Sequence, residues 1–163
     1  MKIKDCRITD NYVFFWGSVF SNWYTCRFEY EGHEFYNTEQ AFMWAKANYF
    51  NDFEMADLIL NTPNPRECKK LGRRVRNFNT ESWALASFAI MTNVNISKFA
   101  QNEDLGDILI STGNRTLVEA SPYDKIWGIG MNMLDDDCLD ELKWNGMNLL
   151  GQALTFIRDK FIK

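Results

Sequence analysis

The sequence predicts an α+β fold: a mostly helical single domain, spanning 1–163, with a small N-terminal β-hairpin and sheet. Three observations carry that expectation. Short β-rich runs broken by glycine-containing turns precede Thr38. Capped helix starts recur from Thr38 onward. The stretch from Gly146 to Lys163 places Leu149, Leu150, Ala153, Leu154, Phe156, Ile157 and Phe161 on one helical stripe. A chain of 163 residues has the length of one domain and can bury a core without staples.

Taken in order, Tyr12 to Trp16 is a β-rich run that ends at Gly17. Cys26 to Tyr30 alternates, Glu31-Gly32 turns, and His33 to Tyr36 returns, which reads as a hairpin. Thr38 stands as the N-cap of a helix from Glu39 to Tyr49, and Asp52 caps a short helix toward Leu60. Asn64-Pro65-Arg66-Glu67 combines an N-cap, a proline at the first helical position and an acid at the third, opening a helix to about Leu71. Thr80 or Glu81 opens a long helix through Trp83, Leu85, Phe88, Ala89 and Met91, ending near Ala100. Asn102 to Ile110 forms a shorter helix, and Leu117 to Ala120 a strand. No linker, repeat or low-complexity run interrupts the chain.

Composition narrows the chemistry. No apolar stretch approaches the ~18 uncharged residues of a membrane span, so no membrane partner is expected. Met1-Lys2-Ile3-Lys4-Asp5 lacks the apolar segment of a signal peptide. The cysteines Cys6, Cys26, Cys68 and Cys138 lie far apart without a C-x-x-C, which suits thiols in a reducing compartment, with the cytoplasm as default. A net charge of −4 disfavours an extended nucleic-acid track and still allows a local basic patch. The single histidine, His33, sits in a Glu31–Glu34 turn. No His/Cys cluster offers a zinc site, and a Ser-His-Asp triad would have to run through His33, expected to be peripheral. Neither a metal nor a cofactor is expected. The excess is aromatic, with six Trp, six Tyr and 13 Phe, enough to fill a core and still stack flat ligand rings.

Four stretches can carry chemistry. In Thr38–Ala47, every position from Gln40 to Ala47 is non-charged except Lys46, so the helix reads as mostly buried. Glu39 and Lys46 are seven positions apart, about two turns, and share one face roughly 10 Å apart. Both could meet one ligand; equally, Lys46 could snorkel to water while Glu39 favours the helix N-terminus. The stretch Ser111–Gly130 passes from a helix end through a strand into a loop with Glu119, Ser121, Asp124 and Trp127, where Gly128 and Gly130 permit close approach to a ligand. An ordinary turn with solvated carboxylates is the competing reading. Lys69–Arg76 holds five basic residues in eight, a phosphate contact or a solvated helix face. Trp16–Tyr24 is an aromatic loop containing Asn22 and Trp23, able to line a core or wall a base-sized pocket.

These stretches occur together and in this order in a known family. The sequence resembles the NADAR/YbiA-like proteins through Phe20-Ser21-Asn22-Trp23-Tyr24, Tyr36-x-Thr38-Glu39-Gln40-Ala41-Phe42 with Lys46, Gly72-Arg73, Leu109–Gly113, Leu117–Gly130 and Asn148-Leu149-Leu150-Gly151. The match spans nearly the whole chain and is most specific from Val118 to Gly130. Gln40 stands where many members have histidine, and Met131 to Asn145 is irregular and acidic. The resemblance implies an N-glycosidase that cuts between ribose C1 and a base or amine nitrogen. The substrate would be a ribosylaminopyrimidine phosphate of riboflavin biosynthesis, or ADP-ribosylated guanine, free or in nucleic acid.

The resemblance marks Lys46 as the nucleophile that forms a Schiff base with the opened ribose. Elementary chemistry agrees, since a desolvated amine is nucleophilic and carboxylates stabilise positive charge at C1. Glu39, Asp124 and Glu119 supply those carboxylates. Asn22, Trp23, Arg73, Arg74, Ser121, Trp127, Gly128 and Gly130 are the expected substrate-binding residues, the arginines for phosphate and the tryptophans for the base. Two alternatives compete. A non-catalytic ADP-ribose or nucleotide-binding module would tolerate loss of Glu39 or Lys46, and both are present. An interaction protein would show a flat apolar patch in place of a charged pocket.

Overall fold

The computed structural model describes residues 2–160. Its elements run β1 (Cys6–Ile8), β2 (Tyr12–Phe15), β3 (Phe28–Tyr30), β4 (His33–Phe35), α1 (Thr38–Tyr49), α2 (Phe53–Leu60), α3 (Pro65–Gly72), α4 (Thr80–Gln101), α5 (Glu103–Ser111), β5 (Thr116–Glu119) and α6 (Leu149–Lys160). Two 3-10 turns, Asp136–Leu139 and Glu141–Lys143, fill the irregular acidic segment. This is the α+β architecture expected. Contacts divide the chain into two compact units, Met1–Ser21 with Glu103–Lys163, and Asn22–Asn102.

The first unit is organised by β2. Its Val13, Phe14 and Phe15 are wholly buried, and it pairs antiparallel with β1 and parallel with β5. The sheet is therefore not purely N-terminal, because a parallel partner must arrive by a long crossover. Phe14, Val118, Ala120, Ile129 and Cys138 form its core, with Tyr12, Met131, Met133 and Trp144 packed around them. Strand β5 starts one residue earlier than expected, at Thr116.

Helix α6 begins at Leu149, later than the expected Gly146, because the residues before it have other uses. A Cβ on Gly146 would lie 2.3 Å from the Gly128 carbonyl oxygen, and Asn148 takes a left-handed φ of 52°. Close packing of α6 on β5 depends on Gly151, where a Cβ would stand 2.1 Å from the Leu117 oxygen. The expected end of the helical stripe, Phe161, lies outside the described residues.

The second unit holds β3, β4 and α1 to α4. Glu31 (φ 50°) and Gly32 (φ 80°) both adopt the left-handed conformation that a two-residue hairpin turn requires. The strands are shorter than the alternation predicts, pairing only Phe28 to Tyr30 with His33 to Phe35. Phe35 packs against Trp44 of α1 with ring centroids 5.4 Å apart and planes tilted by 59°.

The cap of α1 is Asn37 rather than Thr38. Asn37 is extended and its side chain accepts the Gln40 N–H at 2.8 Å, leaving Thr38 inside the first turn and buried. Asp52 and Asn64 cap α2 and α3 as read. Asn79, one residue before the expected start, caps α4. The buried face of α4 carries Ser87, Met91, Thr92, Val94, Asn95, Lys98 and Phe99, whereas Leu85 is 87% exposed.

Candidate functional site

Helix α1 carries Glu39 and Lys46, and it is buried at every position from Thr38 to Ala45 and at Ala47. Its first turn is locked at both ends of the chain segment. Asn22 accepts the Glu39 N–H through its backbone carbonyl at 2.9 Å. Gln40 accepts the Tyr36 N–H and donates to the Ile59 and Leu60 carbonyls at 3.1 and 3.0 Å, tying the end of α2 to α1. Glu39, beside these groups, is buried; burial, with the Glu39 charge adding to it, pushes the Cys68 thiol up to about 12.

Lys46 does not stretch freely into water. Its Nζ donates to the Gly72 carbonyl at 2.9 Å, the last residue of α3. It stands 4.3 Å from the centroid of the Phe78 ring and 5.8 Å from that of Trp83. Burial pulls its pKa below the ordinary lysine value; the nearby Glu39 charge opposes that shift and Arg73 adds to it. The close approach of α3 depends on Gly72, where a Cβ would meet Met43 Sδ at 2.0 Å. Lys46, Glu39 and Arg73 thus form one electrostatic group.

The basic stretch divides by use. Lys70 pairs with Glu67 at 2.8 Å, and Arg76 grips Asp52 through Nε and Nη2 at 3.0 and 2.7 Å, which holds the Asp52 carboxyl below its usual range. Arg73 and Arg74 remain exposed beyond the end of α3. Asn22 is buried and its Oδ1 has no hydrogen-bond partner among the described residues, while Trp23 beside it is 39% exposed.

In the other unit, Glu119 ends β5 and the loop to Gly130 folds back on it. The Ile129 N–H donates to the Glu119 carbonyl and the Gly130 N–H to the Asp124 carbonyl, at 2.9 and 3.1 Å. Asp124 Oδ1 accepts the N–H groups of Ile126 and Trp127, and Ser121 Oγ accepts that of Tyr123. Gly128 approaches its own chain, since a Cβ there would lie 2.9 Å from both the Glu119 and Asp124 carbonyl oxygens. Gly130 turns with a φ of 65°. Asp124 and Trp127 are half-buried.

His33 opens β4, exposed, with its ring 5.0 Å from that of Trp44. Among the described residues no three His, Cys, Asp or Glu side chains are grouped to hold a metal ion, and no helix is long and apolar enough to cross a membrane. All four cysteines are free thiols.

Three residues escaped the sequence reading. Asn148 bridges β5, accepting the Glu119 N–H at 2.9 Å and donating to the Leu117 carbonyl at 3.0 Å; its place in the Asn-Leu-Leu-Gly motif was the available signal. Phe78 covers Lys46 from the segment after α3, and nothing in its spacing marks it. Lys98 is wholly buried, with Nζ 4.9 Å from the Phe99 ring centroid and 5.6 Å from that of Tyr24. Burial brings its pKa down to about 8 against an opposing pull from Cys26.

Known proteins bear directly on this arrangement. The family model for the NADAR domain matches residues 14–162. The chain is 44% identical over 165 residues to an N-glycosidase of Acanthamoeba polyphaga mimivirus, with 93% of this chain and 97% of the relative covered. It is 31% identical to an N-glycosidase of Nostoc punctiforme, covering 78% and 71% of the two chains. A riboflavin biosynthesis protein of Vibrio vulnificus is 24% identical, and there the chain matches 34% of the longer relative. The fold is similar to the NMR structure of the E. coli protein YbiA, with a TM-score of 0.76 at 22% identity over 96% of this chain and 88% of that one. From the family model and the mimiviral relative together, the chain belongs to the NADAR domain family.

Proposed function

We propose that this N-glycosidase of the NADAR family hydrolyses the bond between ribose C1 and a base or amine nitrogen through a covalent Schiff base on Lys46. The substrate is a ribosylaminopyrimidine phosphate or ADP-ribosylated guanine. The carrying observation is the Lys46 amine, desolvated against Phe78 and Trp83, with its pKa lowered and a buried carboxylate, Glu39, in electrostatic reach. A lysine at its ordinary pKa is neutral in only about one molecule in two thousand at pH 7, so lowering matters to its nucleophilicity.

The leaving nitrogen takes a proton from Asp124 or Glu119 as its bond to C1 breaks, and Glu39 balances the positive charge that develops on the sugar. The neutral Nζ adds to C1 and gives a proton back to the carboxylate that protonated the leaving nitrogen, the ring C–O bond opens with its oxygen protonated, and water hydrolyses the resulting imine, returning the free amine and ribose 5-phosphate or ADP-ribose. Arg73 and Arg74 hold phosphate. Trp127 and Trp23 flank the base, Asn22 and Ser121 offer hydrogen bonds, and Gly128 and Gly130 shape the backbone beside it. The reaction needs neither metal nor cofactor, and the cytoplasm supplies either substrate.

The test is incubation with ADP-ribosyl-guanosine and with a ribosylaminopyrimidine phosphate, with products read by mass spectrometry. Borohydride added during turnover should leave a reduced ribosyl adduct on Lys46, absent in Lys46→Ala. Hydrolysis without an adduct, at a near-wild-type rate in Lys46→Ala, would assign attack to water. Binding without hydrolysis of either substrate would leave the nucleotide-binding module.

A further inference from the structure

In the unit built on β2 and β5, two large aromatic side chains stand in solvent that neither the core nor the proposed reaction uses. Trp16 is 45% and Tyr123 85% exposed. Their placement follows from the sheet. Strands β2 and β5 run parallel with Phe15 opposite Glu119, so Trp16 and the loop bearing Tyr123 leave the sheet at the same C-terminal edge, where ligands of parallel sheets commonly sit. The ring centroids are 5.9 Å apart and the planes meet at 56°. Rings tilted this far do not stack on one another, so each keeps a face for a third ring.

We propose that Trp16 and Tyr123 form a nucleobase subsite that takes the purine ring of a nucleoside phosphate. The surroundings favour a base over a lipid or an apolar protein segment. Along the loop, Tyr123 is followed directly by half-buried Asp124 and exposed Lys125, so a flat ring is joined in the chain to a carboxylate and a cation, the groups that suit a base with its polar edge and phosphate. The loop is also held in shape before binding, by the Tyr123 N–H on Ser121 Oγ and by the Ile126 and Trp127 N–H groups on Asp124 Oδ1, which reduces the ordering cost of capture. The proposal rests on the glycosidase reading only for its expectation of a nucleotide-like substrate; the ring it places on this pair is a second base, the adenine of an ADP-ribosyl group, and not the leaving base that Trp127 and Trp23 flank.

The probe is AMP, with ribose 5-phosphate as the base-free control. Saturation-transfer NMR should show the purine protons of AMP in contact with the protein. Affinity for AMP should fall about tenfold in Trp16→Ala and in Tyr123→Ala and persist in Trp16→Phe and Tyr123→Phe, while ribose 5-phosphate binds all five proteins alike. Photolabelling of the wild-type protein with 8-azido-AMP should mark the peptide containing Trp16 or Tyr123, independent of any variant's folding. AMP affinity indifferent to both alanine substitutions, or labelling only elsewhere, would overturn the subsite. A short oligodeoxyadenylate that competes more tightly than AMP would place the base in a strand; weaker competition would place it in a mononucleotide ligand. Turnover measured in parallel separates the two readings. AMP binding that depends on the pair without hydrolysis keeps the subsite and removes the glycosidase, and hydrolysis with pair-independent AMP binding does the reverse.

Discussion

Lys46 on α1 and Lys98 on α4 belong to the same unit, and both lose water to aromatic rings. Lys46 remains half-buried, bonded to the Gly72 carbonyl, with Glu39 and Arg73 in electrostatic reach. Lys98 is wholly buried beside Tyr24 and Phe99, and Cys26 is its charge neighbour. Desolvation lowers both pKa values, and the deeper lysine is the more strongly shifted. A depressed amine is therefore a poor guide to the nucleophile. What distinguishes Lys46 is a carboxylate suited to a cationic sugar and a route to the surface.

The largest expected effect tests that distinction. Lys46→Ala should lower kcat/KM on the substrate by about a thousandfold or more, and Glu39→Gln by about a hundredfold. Lys98→Met, measured in the same assay, should stay within about tenfold of the wild type. A Lys98→Met loss as deep as that of Lys46→Ala would exchange the two roles.

Stability separates the lysines next. With its folded pKa at about 8, below its ordinary value of 10.5, Lys98 binds fewer protons folded than unfolded between those limits. Its contribution to stability therefore rises as pH climbs from 8 to 10.5. Urea unfolding at pH 7 and pH 10.5 should show the wild type gaining about 3 kcal/mol relative to Lys98→Met across that span. Parallel curves for the two proteins would mean that the buried amine is not paying a desolvation cost.

Gly72 sharpens the comparison from the Lys46 side. Its Cα lies where a Cβ would strike Met43, and its carbonyl receives the Lys46 ammonium. Gly72→Ala should cost about 1–3 kcal/mol by overpacking and should lower activity further than stability alone explains. Thermal unfolding with kinetics on the folded fraction reads both.

The smallest effects concern the neighbours of Lys46. The neutral amine reacts, so kcat/KM should rise with pH and level off below the ordinary lysine value. Arg73→Ala removes a cation that lowers the Lys46 pKa, so the rising limb should move to higher pH. Glu39→Gln removes an anion that raises it, so in the residual activity the limb should move lower. Arg73→Ala and Arg74→Ala should also raise KM a few-fold, as for binding shared by ground and transition states. An unshifted limb in both the Arg73 and Glu39 variants would remove Lys46 as the titrating group.

Much of this was legible because local chemistry repeats along the chain. Asp52, Asn64 and Pro65 announce their helices by capping rules alone, and the uniform apolarity of α1 exposes Lys46 as its one cation. Where two residues can serve the same local role, the reading slips by one. Asn37 takes the cap assigned to Thr38, and Asn79 the one assigned to Thr80 or Glu81, because the choice rests on which residue the preceding turn leaves extended.

The sequence by itself determined the helical content, the hairpin at Glu31-Gly32, and the isolation of Lys46 and Glu39 in an apolar segment, because these depend on residues within a turn or two of one another. Only tertiary structure decided that β5 pairs with β2 and that Phe78 and Gly72 enclose Lys46. The same is true of Asn148 bridging β5 and of Lys98 facing the core from a helix side lined with Ser87 and Asn95. These contacts join residues far apart in the chain, and a polar side chain turned inward leaves no trace in hydrophobic periodicity. Its burial is set by what packs against it, which the local pattern does not encode.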